Sequence, residues 1–459
     1  MGRFNVTELL QNKQNTFTAI SDKIWENPEL HFQEKYAVSV LEEALLAEGF
    51  TVKKNVANLE TAIMGIFGNG PTVIAFLGEY DALPFLSQEG GKAEFSPIKE
   101  NGNGHGCGHN LLGTGAFAAA VAAKEYIEKT NAPFTIRFYG CPAEENGSGK
   151  AYMAKHGVFD DVDMAITWHP MNHNTTMNLT SLANYAATFK FTGKSAHAAA
   201  APHLGRSGLD AVELMNVGVN YLREHIIQDA RIHYAVLHTG GTSPNVVQPY
   251  AEVTYLIRAP KKQQVVDIHK RVRKIAQGAA LMTETTFEEQ FVGAASDLIP
   301  NTTLAKIMQQ QFDEAHPLQF SEEDLAFAEQ IYQSLDEESK NIPNEEKKLL
   351  GGKKLREFIS PLSPESILYG STDVGDVSWK TPTVQCTTAC WVIGTPAHTW
   401  QAVAVGNTPI GHKGMLYAAE IMARTAITCM ENPSIIKEAK QEFTTRLKGE
   451  VYTSLIPEK

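Results

Sequence analysis

The chain has 459 residues, with 40 Lys+Arg against 52 Asp+Glu and a formal net charge of −12. At about 150 residues per domain this length predicts two or three domains. A content of 43% hydrophobic and 20% charged residues supplies apolar surface for a large core, which excludes intrinsic disorder. The acidic balance excludes a generic nucleic-acid binder, because it repels phosphates.

In chain order, residues 7–25 predict a helix, followed by the turn Asn27-Pro28. Ala37 to Glu48 places Val38, Val40, Leu41, Leu45 and Leu46 on one helical face, and Gly49 ends that helix. Thr61–Phe67 and Thr72–Gly78 are short apolar runs bounded by glycine and predict strands. Leu111–Lys129 is a helix of small residues, and Phe134–Tyr139 and Asp163–Thr167 predict further strands. Strands alternating with helices imply an α/β layered domain.

The pattern changes near Ser181. Tyr185–Thr192 alternates as a half-buried strand, Gly208–Arg223 is helical, and Ala230–Leu237 and Tyr250–Arg258 alternate again. A helix over Val265–Leu281 and a strand over Thr283–Val292 complete the series. Strand, helix, strand, strand, helix, strand is the order of a ferredoxin-like α+β unit. The expectation is therefore an insertion at 183–298 that divides an α/β domain into 1–182 and 299–459. Residues 321–358 are rich in charge and predict a solvated helical excursion with a loop at Gly351-Gly352. A helix over Met415–Cys429 closes the α/β part.

Five cysteines (Cys107, Cys141, Cys386, Cys390 and Cys429) are too scattered for a disulfide framework and suit a reducing compartment. Met1–Gln11 lacks a basic region followed by an apolar run, so no signal peptide is expected. No stretch reaches the roughly 18 apolar residues of a membrane span. A cytoplasmic enzyme is the expectation.

Four segments at predicted strand ends carry the chemistry-bearing residues. Gly104-His105-Gly106-Cys107-Gly108-His109-Asn110 precedes the small-residue helix. The helix N-terminus favours a thiolate at Cys107, and the glycines let Cys107 and His109 face one point, as a zinc or manganese ion requires. A glycine-rich turn around a cysteine with no ligand role is the competing reading, and this segment alone leaves both open. Cys141-Pro142-Ala143-Glu144-Glu145 follows a strand. Adjacent acids are often only solvated, but one can ligate a metal while its neighbour accepts a proton. Trp168-His169-Pro170 and Gly394-Thr395-Pro396-Ala397-His398 also sit at strand ends, where α/β sheets gather functional groups. Together Cys107, His109, Glu145, His169 and His398 suffice for two metal ions if one ligand is shared.

At this point a resemblance becomes specific. WENPELHFQEKYAVSVLEEALLAEGF, GEYDALP, HGCGHN, PAEENGSGKAYM, GKSAHAAAAPHLGRSGLDA, SPNVVQPYAEVTYLIRAP and GSTDVGDVSW resemble, in order, segments of the di-metal amidohydrolases of the aminoacylase and glutamate carboxypeptidase family. The nearest branch is the one with the auxin-conjugate and hippurate hydrolases, and the likeness spans almost the whole chain. It implies a catalytic three-layer α/β domain with an inserted ferredoxin-like dimerisation domain, and two divalent ions, zinc or manganese. It implies that Cys107 bridges the metals, that Glu145 and His398 complete one site and His109 and His169 the other, and that Glu144 is the general base. Relatives with a simpler pattern have a ligand histidine where this chain has Glu79. Asp81 is then expected to orient a ligand, and Glu79 to be a strand-end turn residue.

The resemblance also assigns His197, contributed by the other protomer, to the scissile carbonyl, and Asn245 to substrate. Arg206 and Arg258 are candidates for gripping a substrate carboxylate, with an ion pair as the competing reading for each. The implied activity is cleavage of an N-acyl or N-aroyl amino acid, p-aminobenzoyl-glutamate being the leading candidate. The implied assembly is a homodimer or a complex with a homologous chain, without nucleic acid or membrane. A dipeptidase or general aminoacylase of the same fold, and a non-catalytic partner of a related hydrolase, are the alternatives. A redox-sensing or metal-storage role for Cys107 is a third, in which Glu144 would have no task.

Overall fold

A computed structural model describes residues 4–458. The expected first helix is two, α1 (Val6–Asn12) and α2 (Gln14–Glu26). The break falls at Lys13 (φ −103°, ψ 5°), in the polar run Gln11-Asn12-Lys13-Gln14-Asn15 that offers no apolar contact to hold the turn. The Lys13 ammonium is drawn instead to Glu48 (2.6 Å) and Glu125 (3.3 Å). Helix α3 (Lys35–Ala47) is closed by Gly49 at φ +81°. Then come β1 (Thr51–Lys54), β2 (Ile63–Phe67), β3 (Thr72–Glu79), α4 (His109–Thr130), β4 (Phe134–Cys141), α5 (Gly149–Lys155), β5 (Met164–Met171), β6 (Thr175–Met177) and β7 (Leu179–Ser181).

The middle of the chain holds β8 (Ala183–Thr192), α6 (Gly208–Leu222), β9 (Arg231–His238), β10 (Tyr250–Ala259), α7 (Lys262–Thr283) and β11 (Thr286–Ala295). The strand expected from Thr283 starts three residues later, because α7 runs through Thr283 and reverses at Glu284 in the left-handed region (φ 53°). The remainder is α8 (Thr302–Glu314), α9 (Glu322–Gln333), α10 (Asn344–Leu350), β12 (Ser366–Leu368), α11 (Val374–Ser378), β13 (Thr383–Ala389), α12 (Trp400–Val405), α13 (Pro409–Glu431) and α14 (Ser434–Leu447). Among the described residues no helix is long and apolar enough to cross a membrane.

The chain forms two compact units. The first runs to Leu179 and resumes over Ile299–Ser366 and Val377–Tyr452. Its seven-stranded sheet has the order β1-β2-β4-β3-β5-β13-β6. Strands β4, β3, β5 and β13 are mutually parallel, and β1, β2 and β6 are antiparallel to their neighbours. Strand β3, buried on both faces, is accordingly an unbroken apolar run up to Glu79. The charged excursion is helical as expected. Its α9 starts at a Ser321 capping box, and Ala328, Ile331, Leu350 and Leu355 turn into the core.

Helix α4 is small-residued because it lies close on the sheet. A Cβ at Gly113 would meet the Glu79 carbonyl oxygen at 2.5 Å, and one at Gly115 the Trp168 indole at 2.8 Å. The Trp168 Nε1–H donates to the Leu112 carbonyl at 2.9 Å, which ties β5 to the start of α4.

The second unit comprises Thr180–Leu298, Ile367–Asp376 and the chain from Thr453. Its antiparallel sheet has the order β11-β8-β10-β9. With α6 and α7 this is the ferredoxin-like arrangement. Tyr185, Ala187, Phe189 and Phe191 of β8 share one buried cluster with Val212 and Met215 of α6 and Val265 and Val272 of α7. Asp376 joins this unit by accepting from the Ser296 backbone N–H (2.9 Å) and hydroxyl (2.8 Å).

Gly113→Ala tests the close approach of α4 to β3. Because the obstacle is backbone, the substitution is expected to cost about 1–3 kcal/mol in denaturant melts. A change within about 0.5 kcal/mol, as at an open surface site, refutes the contact.

Candidate metal centre

The parallel strands β3, β4, β5 and β13 end at the same edge of the first unit's sheet, and the chemistry-bearing residues follow those ends. Asp81 lies two residues past β3, Glu144 and Glu145 follow β4, and His169 is near the end of β5. Helix α4 opens at His109, with Gly108 before it at φ 73°. A Cβ there would press on Pro170 at 3.1 Å, so only glycine lets the Cys107-Gly108-His109 turn lie on the β5 end. His398 arrives on the loop after β13 and is itself left-handed (φ 62°). Its backbone N–H donates to the Gly106 carbonyl at 2.9 Å.

The side chains converge. Cys107 Sγ lies 3.4 Å from His169 Nε2. Glu145 Oε2 lies 3.4 Å from His398 Nε2, and Glu145 Oε1 4.0 Å from His109 Nε2. Three groups have ligand atoms within 4.8 Å of one another: Cys107, His109 and His169; Cys107, Glu145 and His398; and Glu79, His109 and Glu144. The first two share Cys107, the pattern that two neighbouring ions with one bridging ligand require. The third brings Glu144 beside them.

Asp81 holds the arrangement. Its Oδ1 is 2.9 Å from His109 Nδ1, and its Oδ2 accepts the Glu145 backbone N–H at 3.0 Å. With Nδ1 engaged, His109 presents Nε2 inward. His169 Nδ1 is likewise engaged, by the Pro170 carbonyl at 2.8 Å. His105, between the glycines, turns away to the Ile24 carbonyl (3.1 Å), and burial pushes its imidazole down to about 4.

The electrostatics differ from the sequence expectation at Cys107. Burial pushes its thiol up, with the Glu145 carboxylate adding to the effect. The start of α4 is therefore not enough to make a thiolate, and a cation is what would deprotonate it. Burial pulls His109 down, but the Cys107 sulfur and Asp81 carboxylate outweigh it and hold the imidazole well above its usual value. Burial raises Asp81, and His109 more than reverses this. Two buried atoms, His109 Nε2 and Glu145 Oε1, have no hydrogen-bond partner. Orphaned donors or acceptors at this depth are rare unless a ligand completes them. Sulfur, imidazole and carboxylate donors around these atoms suit a borderline divalent ion. The residues present thus fit a metal pair.

Sequence reasoning missed two members. Glu79 is not a turn residue with a capped side chain. It is 3% exposed, with Oε1 2.5 Å from the ammonium of Lys150 and Oε2 3.3 Å from His109 Nε2. Lys150 is 0% exposed. The available signal was a single lysine directly after Gly147-Ser148-Gly149, where a chain that must pass close to the site has no other long side chain.

The remaining candidates lie in the second unit. The His197 and Asn245 loops are zipped together: Ala198 N–H donates to the Asn245 carbonyl (2.9 Å) and Val247 N–H to the Ala196 carbonyl (3.0 Å). His197 is exposed, and its Nδ1 accepts from Ala199 N–H (3.2 Å) and Ala200 N–H (3.1 Å). The neutral ring then carries its proton on Nε2, as a donor would. The Arg206 guanidinium is committed to Glu284 (2.7 Å) and to the carbonyls of His203 and Gly205. Arg258 on β10 has a buried Nε without an acceptor, and burial lowers its affinity for its proton.

The chain is similar to known proteins. The chain is 46% identical to one of the subunits of the p-aminobenzoyl-glutamate hydrolase of Escherichia coli (strain K12), over 98% of this chain and 97% of that protein. It is 29% identical to the Xaa-Arg dipeptidase of Mus musculus, over 94% and 90% of the two chains. The fold matches a crystal structure from Bacillus subtilis, described as a dinuclear metal binding peptidase from the M20 family, with TM-score 0.56 and 17% identity, covering 92% and 99% of the two chains. A family model, peptidase family M20/M25/M40, matches residues 75–383. With half the chain and more inside that match, and the glycine-turned Cys107–His109 segment within it, the chain belongs to the M20/M25/M40 peptidase family.

Proposed function

We propose that this hydrolase cleaves the amide bond of an N-acyl or N-aroyl amino acid, with p-aminobenzoyl-glutamate the leading substrate, using two divalent ions, zinc or manganese. The observation that carries the reading is the pair of donor groups sharing Cys107, with Glu144 beside them. The similarity to a protein named for p-aminobenzoyl-glutamate supports the substrate class. Cys107, His109 and His169 would hold one ion, and Cys107, Glu145 and His398 the other. Ions held there would supply Lewis acidity, which lowers the pKa of a water towards about 7.

The chain's own residues do the rest. Glu144 accepts the proton of the attacking water and passes it to the leaving amine. Asp81 fixes the His109 ring and the Glu145 backbone. His197, contributed by the other protomer, would present Nε2–H to the developing oxyanion, a contribution of roughly 3–4 kcal/mol for such a donor. Asn245, whose loop is hydrogen-bonded to that of His197, would contact the same substrate. Of the two arginines, Arg258 is the better partner for a substrate carboxylate, because Arg206 is already paired with Glu284.

Catalysis belongs to the first unit and dimerisation to the second. The working form is a homodimer or, because the Escherichia coli relative is named as one subunit of its hydrolase, a complex with a homologous chain. The five free cysteines support placing it in the cytoplasm.

The test is a substrate panel of N-aroyl and N-acyl amino acids and Xaa-Arg dipeptides, run on chelated protein with and without added zinc or manganese. Metal-dependent cleavage led by p-aminobenzoyl-glutamate is expected, and no cleavage of any member sinks the reading. Glu144→Ala is expected to keep metal and fold while losing about 10²–10⁴ in kcat, the usual worth of a general base. Asp81→Ala should weaken metal binding by roughly 10–100-fold, as loss of a ligand-orienting partner does, read by titrating the metal-free protein. An unchanged metal affinity would remove Asp81 from this role.

A further inference from the structure

The loop that carries Glu144 is held at two points by buried carboxylates. One is Asp81, through the Glu145 N–H. The other comes from a distant part of the chain. Glu34, 0% exposed at the N-cap of α3, directs Oε1 to two backbone N–H groups, Phe32 at 2.9 Å and Ala143 at 2.8 Å. Both donors are non-glycine residues in the left-handed region, Phe32 at φ 58° and Ala143 at φ 59°. Such backbone persists only where the surroundings over-determine it. Here one carboxylate oxygen fixes both strained residues.

The rest of the Glu29–Glu34 turn is built to the same end. A Cβ at Gly147 would meet the Phe32 ring at 2.5 Å and Ala143 Cβ at 2.6 Å, so the ring is packed against the loop. The Gly147 N–H returns to the Ala143 carbonyl at 3.0 Å, and Ala82 N–H donates to the Glu29 carbonyl at 2.8 Å. The turn therefore grips both the loop with Glu144 and the segment with Asp81. Burial, reinforced by the Asp81 charge, pushes the Glu34 carboxyl up to about 7. A buried acid costs stability unless something offsets it, and the offsets here include the Phe32 and Ala143 N–H groups and a hydrogen bond from Thr61.

We propose that Glu34 is a positioning residue for the reaction: by clamping Ala143 from one side while Asp81 clamps Glu145 from the other, it fixes the backbone of Glu144 and so the placement of the general base. Glu34 touches neither substrate nor metal ligand side chains. The inference rests on the Glu144 assignment above.

The experiment compares Glu34→Ala, Glu34→Asp and Glu34→Gln with the wild-type chain on p-aminobenzoyl-glutamate. Aspartate is one methylene too short to reach Ala143, whereas the glutamine amide oxygen accepts both N–H groups. The expected result is a kcat lower by roughly 10–100-fold in E34A and E34D, the scale of a misplacement near 1 Å, with KM within about threefold, and near wild type in E34Q. Metal content per chain should stay at the wild-type value. Amide hydrogen exchange across Cys141–Lys150 should rise about tenfold or more in E34A and E34D but not in E34Q. Wild-type kcat in E34A and E34D, a loss carried by KM, a loss of metal in step with activity, or failure of E34Q to rescue overturns the proposal. If E34A does not fold, E34D decides on the same criteria, and if neither folds, Glu34 is a general folding residue and the proposal falls. Should the wild-type chain cleave none of these amides, the hydrolase reading fails, while the exchange measurement still decides whether Glu34 holds the loop.

Discussion

One carboxylate organises the centre. Asp81 has no exposure to solvent to speak of, yet it is kept ionised because one oxygen faces His109 and the other accepts the Glu145 amide. These two partners come from different connections, the start of α4 and the loop after β4. Asp81 follows β3, the strand paired with β4 on one side and β5 on the other. The geometry of the centre is thus inherited from parallel strand pairing, β3 with β4 and β3 with β5. A shift of any one strand would separate an imidazole from a carboxylate it must share.

Charge is the second constraint. The carboxylates of Glu79, Asp81, Glu144 and Glu145 crowd into a largely buried volume, and their mutual repulsion needs cations. Lys150 provides one internally, paired with Glu79 where neither side chain reaches water. A buried ion pair is poor evidence for stability, since desolvation can cancel its attraction. Its value here is local: the ammonium neutralises the carboxylate that points at His109, so the ring meets a balanced pair instead of a bare anion. The same logic bears on a substrate with carboxylates, because a chain of net charge −12 does not attract it from afar, which leaves its capture to short-range contacts.

The fold was readable because its pattern is redundant. Glycine-bounded apolar runs marked β2 and β3, alternation marked β8 and β10, and their sequence order pointed to the ferredoxin-like unit. Boundaries were less legible: α7 overran into Thr283, and the first helix broke at Lys13, whose ammonium is claimed by Glu48 and Glu125 far along the chain. The site divides in the same way. Cys107, His109, Glu145, His169 and His398 stand in conspicuous glycine, proline and strand-end settings. What distinguishes Glu79, Lys150 and Glu34 is burial, and burial of a charged side chain follows from partners separated by many residues. The pairing of Arg206 with Glu284 was invisible for that reason too.

The cysteines have a consequence beyond the centre. None of the five forms a disulfide, and all five are buried. Cys141, Cys386, Cys390 and Cys429 have no exposure, and Cys107, among the candidate ligands, keeps only 8%. Alkylation at any of those four would mark a moment when the structure had opened, so its own core thiols make a clock for its breathing.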